Sequence, residues 1–249
     1  MTELLYLNDH YLREFDAKIV EIPDYKSVVL DRTAIYPRGG GQPSDKGWLV
    51  TSDGKRKLQV IDSQKDQEGG RTIHVLGTPL SETDKKEILG ASVHGIVDWK
   101  LRYIHMRHHT ALHILSGVVY HKFNSKITGG QIYQERARLD FTLSDLSPEK
   151  VSIIESEMNR IVDENRPVRS FWLSRDEALR KPELYRLSAN LLPEDLEKLR
   201  IVEIVGFDSQ LDGGTHVANT GEVGRIKISR TENKGKDNKR IEIVLSWKS

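Results

Sequence analysis

Near Asp98 the sequence changes its period, and this limits the folds open to the chain more than any other feature. Before it, residues 15–22, 27–31, 47–50, 58–62 and 92–97 are short strand-like runs separated by turn residues. Several short strands without a strong helix suggest a small barrel or curled sheet, so residues 1–97 are expected to form a β-barrel-like domain. After it, Asp98 is placed to cap a helix running to about Phe123, with Ala111, Leu112, Ile114, Leu115, Val118 and Val119 in helical register.

The remainder alternates between helix and strand. Residues 126–143 return to strand, and Ser147-Pro148 opens a second helix with Val151, Ile154, Met158, Ile161 and Val162 on one face. A strand follows over 168–173. Ser174 to Glu177 then fits a capping box before a short helix, and residues 177–198 are read as packing without chemistry. Strands are expected at 200–205, 223–229 and 240–247. Residues 98–249 are therefore expected to be an α+β domain with helices packed on an antiparallel sheet.

Composition excludes some chemistry. Cysteine is absent, which removes disulfides and thiolate ligands and fits a cytoplasmic home. No apolar run reaches the length of a membrane span, so no membrane partner is expected. The net charge of +1 does not by itself indicate a polyanionic partner, so local patches must carry any such claim.

The helix carries a ladder of histidines. His109 and His113 are four apart and share a face, as two ligands of one metal ion would. His105 and His109 form an equally good pair, and helix geometry does not choose between them. His108 lies off that face, and His121 sits two turns beyond His113. A second constellation is Leu211-Asp212-Gly213-Gly214-Thr215-His216-Val217. Its glycines speak against helix, and a glycine-rich turn can aim a carboxylate and an imidazole at one point. His109, His113, Asp212 and His216 would give three nitrogens and one oxygen, enough for a tetrahedral site. In the first half, Tyr36-Pro37-Arg38-Gly39-Gly40-Gly41-Gln42-Pro43 allows positive φ and close approach of a ligand to backbone.

An H-x-x-x-H helix followed about a hundred residues later by G-G-T-H resembles the editing domain of alanyl-tRNA synthetase and its free-standing relatives, the AlaX proteins. Residues 11–15, 30–45, 128–132, 137–141, 217–224 and 239–242 share the resemblance. It covers most of the chain and points to the medium-sized class. The resemblance selects His109 and His113 over His105. It also shows a departure: Asp212 stands where the motif usually has cysteine. A zinc ion is expected, with weaker preference over cobalt or manganese than a thiolate would give.

The activity implied is hydrolysis of mischarged tRNA(Ala), chiefly Ser-tRNA(Ala), with Gly-tRNA(Ala) as a second substrate. Thr33 matches a threonine associated with serine recognition. Gly39, Gly40, Gly41, Gln42, Thr128, Gly129, Gly213 and Gly214 are expected to line the substrate site, some through backbone donors. The attacking water would be bound or positioned by the metal. Between Arg225 and Arg240 basic residues outnumber acidic ones, and Lys234, Lys236, Lys239 and Arg240 are expected to hold tRNA phosphates. Two alternatives stand beside this reading: a tRNA-binding module of the same fold without activity, and a metal-dependent esterase or amidase acting on a small molecule.

Overall fold

Alternation of buried and exposed side chains builds the first half. In the computed structural model, which describes residues 1–66, 70–181, 184 and 197–247, its strands are β1 (Glu3–Leu4), β2 (Glu14–Asp24), β3 (Ser27–Leu30), β4 (Arg32–Thr33), β5 (Gly47–Thr51), β6 (Lys57–Lys65), β7 (Thr72–Leu76) and β8 (Ser92–Val97). Six of them close a barrel in the order β2-β3-β7-β6-β5-β8, antiparallel at every seam. Ile19, Val28, Leu30, Leu49, Val60 and Val93 fill it. Gly95 pairs with Phe15 across β2 and β8, where a Cβ would run into the Phe15 ring. A glycine inside a strand is therefore required here by close packing.

Besides the two-residue strands β1 and β4, two elements of this half were not expected. Strand β7 completes the barrel, yet its inward positions are Thr72, His74 and Leu76, so apolar alternation does not mark it. Helix α1 (Glu82–Ile88) is held at its start by a capping box between Ser81 and Asp84 and buries only Ile88, too little to show a helical period.

Helix α2 (Trp99–Phe123) runs for 25 residues. Its start is capped as expected, with the Leu101 N–H donating to Asp98 Oδ1 at 3.1 Å. The division between two compact units falls inside this helix, at Ile104/His105. Within the first unit, Arg102 is fully buried and ion-paired with the equally buried Asp45. Asp45 Oδ2 also accepts the Tyr36 N–H at 2.7 Å, which fixes the base of the glycine loop. From His105 to Val119 every residue is buried. This part of α2 is a core helix, enclosed on all sides.

The second unit continues with β9 (Ile127–Ile132), β10 (Ala137–Phe141), α3 (Pro148–Asp163), β11 (Val168–Ser174), α4 (Arg175–Leu179), β12 (Lys198–Ile204), β13 (Asp208–Leu211), β14 (Arg225–Gly235) and β15 (Asn238–Ser246). They form two antiparallel sheets, β14-β15-β10-β9 and β11-β12-β13. Helix α3 begins at Pro148 behind an Ser147 cap and buries Ile154, Met158, Ile161 and Val162. It is tied to β14 by Asn159, whose amide accepts from the Ile226 N–H at 3.0 Å and donates to the Ile226 carbonyl at 2.8 Å. The fold is α+β. The expected capping box at Ser174 is present, whereas most of the 177–198 segment read as packing lies outside the described residues. The last two strands are longer than expected, so most of the basic run is strand. Among the described residues no helix is long and apolar enough to cross a membrane.

Candidate metal centre

Four side chains from two distant segments meet in the second unit. His109 and His113 project from α2, and Asp212 and His216 come from the turn that follows β13. One ligand atom from each lies within 4.8 Å of every other. His105 is not in the group, so the ladder is resolved by where the 212–216 turn lands. The His109 and His216 ring centroids are 4.3 Å apart and those of His113 and His216 are 4.6 Å apart. Asp212 faces all three: Oδ1 is 3.5 Å from His109 Nε2, and Oδ2 is 4.0 Å from His113 Nε2 and 2.6 Å from His216 Nε2.

These separations suit a small cation. With zinc–ligand distances near 2.0 Å, tetrahedral ligand atoms stand roughly 3.3 Å apart, so binding would open the Asp212–His216 pair and draw His113 toward Asp212. Protonation fits as well. Burial pushes the His109 imidazole below its ordinary range, against the partial opposition of Asp212. Burial, with His109 and His113 alongside, pushes His216 well below that range. Burial alone would raise the Asp212 carboxyl, but the imidazoles and the hydrogen bond from His216 hold it well below the usual carboxylate range. Neutral imidazoles at His109 and His216 beside an ionised Asp212 are states that suit a divalent cation.

The turn is held by Arg200 and Thr110, which no sequence motif marked, together with Gly214 of the motif itself. Arg200, on β12 and 5% exposed, donates through Nη1 to the carbonyls of Asp212 at 3.0 Å and Gly214 at 3.1 Å. The Gly214 N–H donates to Asp212 Oδ2 at 3.0 Å, so this backbone donor orients a ligand. Thr110, between the two helical histidines, accepts the Val217 N–H at 3.2 Å and lies 3.2 Å from His216 Nδ1. A signal for Arg200 was available: it alternates with Val202 and Ile204, which places it on the inward face of its strand.

The other expected site residues are distributed over both units. Thr33 is wholly buried in the first, its Oγ1 accepting the Ile35 N–H at 3.1 Å and lying 2.9 Å from His74 Nε2. Gly39 and Gln42 close a tight turn through reciprocal backbone bonds, with Gly40 and Gly41 at φ of 57° and 81°. Gln42 is buried, while Gly39 and Gly40 are exposed. In the second unit Gly213 is exposed, and Thr128 and Gly129 lie on β9 at a sheet edge, with Thr128 Oγ1 donating to Asn238 Oδ1 at 3.0 Å. Of the basic residues, Lys234 and Lys236 are exposed. Lys239 donates to the carbonyls of Gly235 and Lys236 at 2.7 and 2.9 Å, and Arg240 grips Asp140 with two bonds of 2.7 and 2.8 Å.

The chain is similar in sequence to known proteins along nearly its whole length. Residues 199–242, which include the Asp212–His216 turn, match the family described as threonyl and alanyl tRNA synthetase second additional domain, and residues 7–101 match tRNA synthetases class II (A). The alanyl-tRNA editing protein AlaX-M of Methanosarcina acetivorans is 40% identical over 98% of this chain and 99% of its own length. The protein of that name from Saccharolobus solfataricus is 40% identical over 97% of this chain and 98% of its own. This chain belongs to the AlaX-M family. The AlaX-M chain also aligns with part of a larger enzyme, the alanine–tRNA ligase of Pyrococcus furiosus, at 41% identity over 93% of this chain but 24% of the ligase.

Proposed function

We propose that this AlaX-M family member is a trans-editing hydrolase that removes serine, and secondarily glycine, from mischarged tRNA(Ala) at a zinc site made by His109, His113, Asp212 and His216. The observation that carries this reading is the convergence of those four ligand atoms in a chain aligned end to end with alanyl-tRNA editing proteins. When bound, the ion polarises or positions the ester end of the aminoacylated adenosine. The carboxylate at Asp212 leaves room for cobalt or manganese as substitutes.

The chain's own groups do the rest. Arg200 and the Gly214 N–H hold Asp212 and its turn in place. Gly213 supplies a backbone donor toward the developing oxyanion, and Thr128 and Gly129 extend the substrate surface of that unit. Thr33 influences the preference for serine indirectly, because its hydroxyl is buried and engaged with His74 and the Ile35 N–H. Lys234 and Lys236 hold tRNA phosphates, while Lys239 and Arg240 shape the hairpin that presents them.

The test is deacylation of Ser-tRNA(Ala), Gly-tRNA(Ala) and Ala-tRNA(Ala) side by side, with metal analysis of the same sample. Rapid loss of serine, slower loss of glycine and sparing of alanine, with one ion per chain, are expected. His109→Ala and His216→Ala should each abolish serine release. Tight tRNA binding without hydrolysis under excess zinc would replace this reading with that of a binding module. Turnover indifferent to the tRNA acceptor stem would indicate a small-molecule esterase.

A further inference from the structure

We infer that Thr110 is a positioning residue for the metal centre, and that its hydroxyl lets His216 exchange ring tautomers as an ion enters. The inference rests on the metal site proposed above but assigns a role to a residue outside it. Thr110 and His216 are both fully buried. His216 Nε2 faces Asp212 Oδ2 at 2.6 Å and its Nδ1 faces Thr110 Oγ1 at 3.2 Å.

The two partners differ in kind. An ionised carboxylate only accepts, so with Nε2 facing Asp212 the His216 proton sits on Nε2 and is donated to Asp212. Nδ1 is then the acceptor, and Thr110 Oγ1–H must donate to it. A cation bound through Nε2 takes that lone pair, and a neutral imidazole then carries its proton on Nδ1. Nδ1–H now needs an acceptor. Thr110 Oγ1 provides it, because a hydroxyl has one proton to give and two lone pairs, one of which already receives the Val217 N–H. The proton count of the ring is unchanged: one N–H bond is lost at Nε2 and one forms at Nδ1, through solvent. A carbonyl or carboxylate in place of Thr110 would serve only the metal-bound state. A hydroxyl serves both. The bond to Val217 N–H adds a second function, fastening the G-G-T-H turn to the helix midway between His109 and His113.

The outer-shell partner of a ligating histidine commonly governs metal affinity by 10- to 100-fold. Zinc affinity, measured by competition with a chromogenic chelator, should fall roughly that far in Thr110→Val and stay near wild type in Thr110→Ser. In ring-nitrogen NMR of the wild-type protein, the His216 signal should move from Nε2–H without zinc to Nδ1–H with zinc. Equal zinc affinity in wild type and Thr110→Val would overturn the inference, and so would a loss in Thr110→Ser as large as that in the valine variant. Should Thr110→Val fail to fold, the serine variant and the wild-type ring spectra decide alone, and Nδ1–H in both states would refute the exchange. Failure of the wild type to take up zinc would overturn the metal site itself, a distinct result.

Discussion

His216 Nε2 lies 2.6 Å from Asp212 Oδ2, closer than a tetrahedral ion would hold two of its ligands. At this separation each of the two groups satisfies the other. This distinguishes the centre from small zinc domains in which the ligands have no partner and the chain unfolds without metal. Here the ligands stand on a core helix and on a turn held by Arg200.

Exhaustive chelation should therefore leave the fold intact while abolishing deacylation. Circular dichroism of the stripped protein should match the loaded form at 25 °C. Zinc added to about a hundred times its Kd contributes about 2.7 kcal/mol, which for a chain of this size raises Tm by roughly 5–10 °C. Cooperative unfolding on chelation at 25 °C would refute this account of the site.

The hairpin formed by β14 and β15 supports a second expectation. Lys234 and Lys236 are exposed, whereas Lys239 is 6% exposed and Arg240 is bound to Asp140. Replacing Lys234 and Lys236 together with alanine should reduce the slope of log K for tRNA against log salt by roughly 2. Replacing Lys239 should instead lower thermal stability. A slope unchanged in the double variant would remove this hairpin from the tRNA surface.

What the sequence disclosed follows from what covalent spacing can fix. Four residues on a helix fix the His109–His113 relation, and a glycine-rich turn keeps Asp212 near His216, so both pairs were legible. The choice between His105 and His109 was not, because helical periodicity treats them alike and only the tertiary position of the second segment separates them. Family resemblance supplied that choice in advance. Strand β7 was hidden because Thr72 and His74 occupy inward positions that an apolar pattern would reserve for aliphatic residues. Thr110 was hidden for a related reason: its importance lies in its partners, His216 and Val217, more than a hundred residues away.

His74 makes the barrel acid-sensitive. Burial pushes its imidazole from the ordinary 6.5 down to about 4. A histidine held neutral in the fold takes up a proton more readily when unfolded, so stability falls as pH drops from about 6.5 to about 4 and levels off below. A difference of that size corresponds to about 3 kcal/mol. In urea unfolding from pH 7.5 to 4.5, His74→Gln should lose this part of the acid dependence relative to wild type. Parallel curves for the two proteins would show that His74 is not the group responsible. His94 has the opposite sign. Asp16 and Glu14 raise its pKa, so its contribution is present below about 6.5 and disappears as pH climbs through the raised value.

Thr33 lies against this same histidine. Its hydroxyl lies 2.9 Å from His74 Nε2 and accepts the Ile35 N–H at 3.1 Å, so its orientation is fixed before any substrate arrives. Thr33→Val keeps the shape but leaves two buried polar groups without this partner, at a cost of about 1–3 kcal/mol each. The variant should be less stable and should lose more of its serine release than of its glycine release. Thr33→Ser restores the hydroxyl and should restore the serine preference. Stability alone would depress both substrates together, so the ratio of the two rates, measured well below the variant's Tm, separates the roles. Equal losses on Ser-tRNA(Ala) and Gly-tRNA(Ala) would leave Thr33 with structural work only.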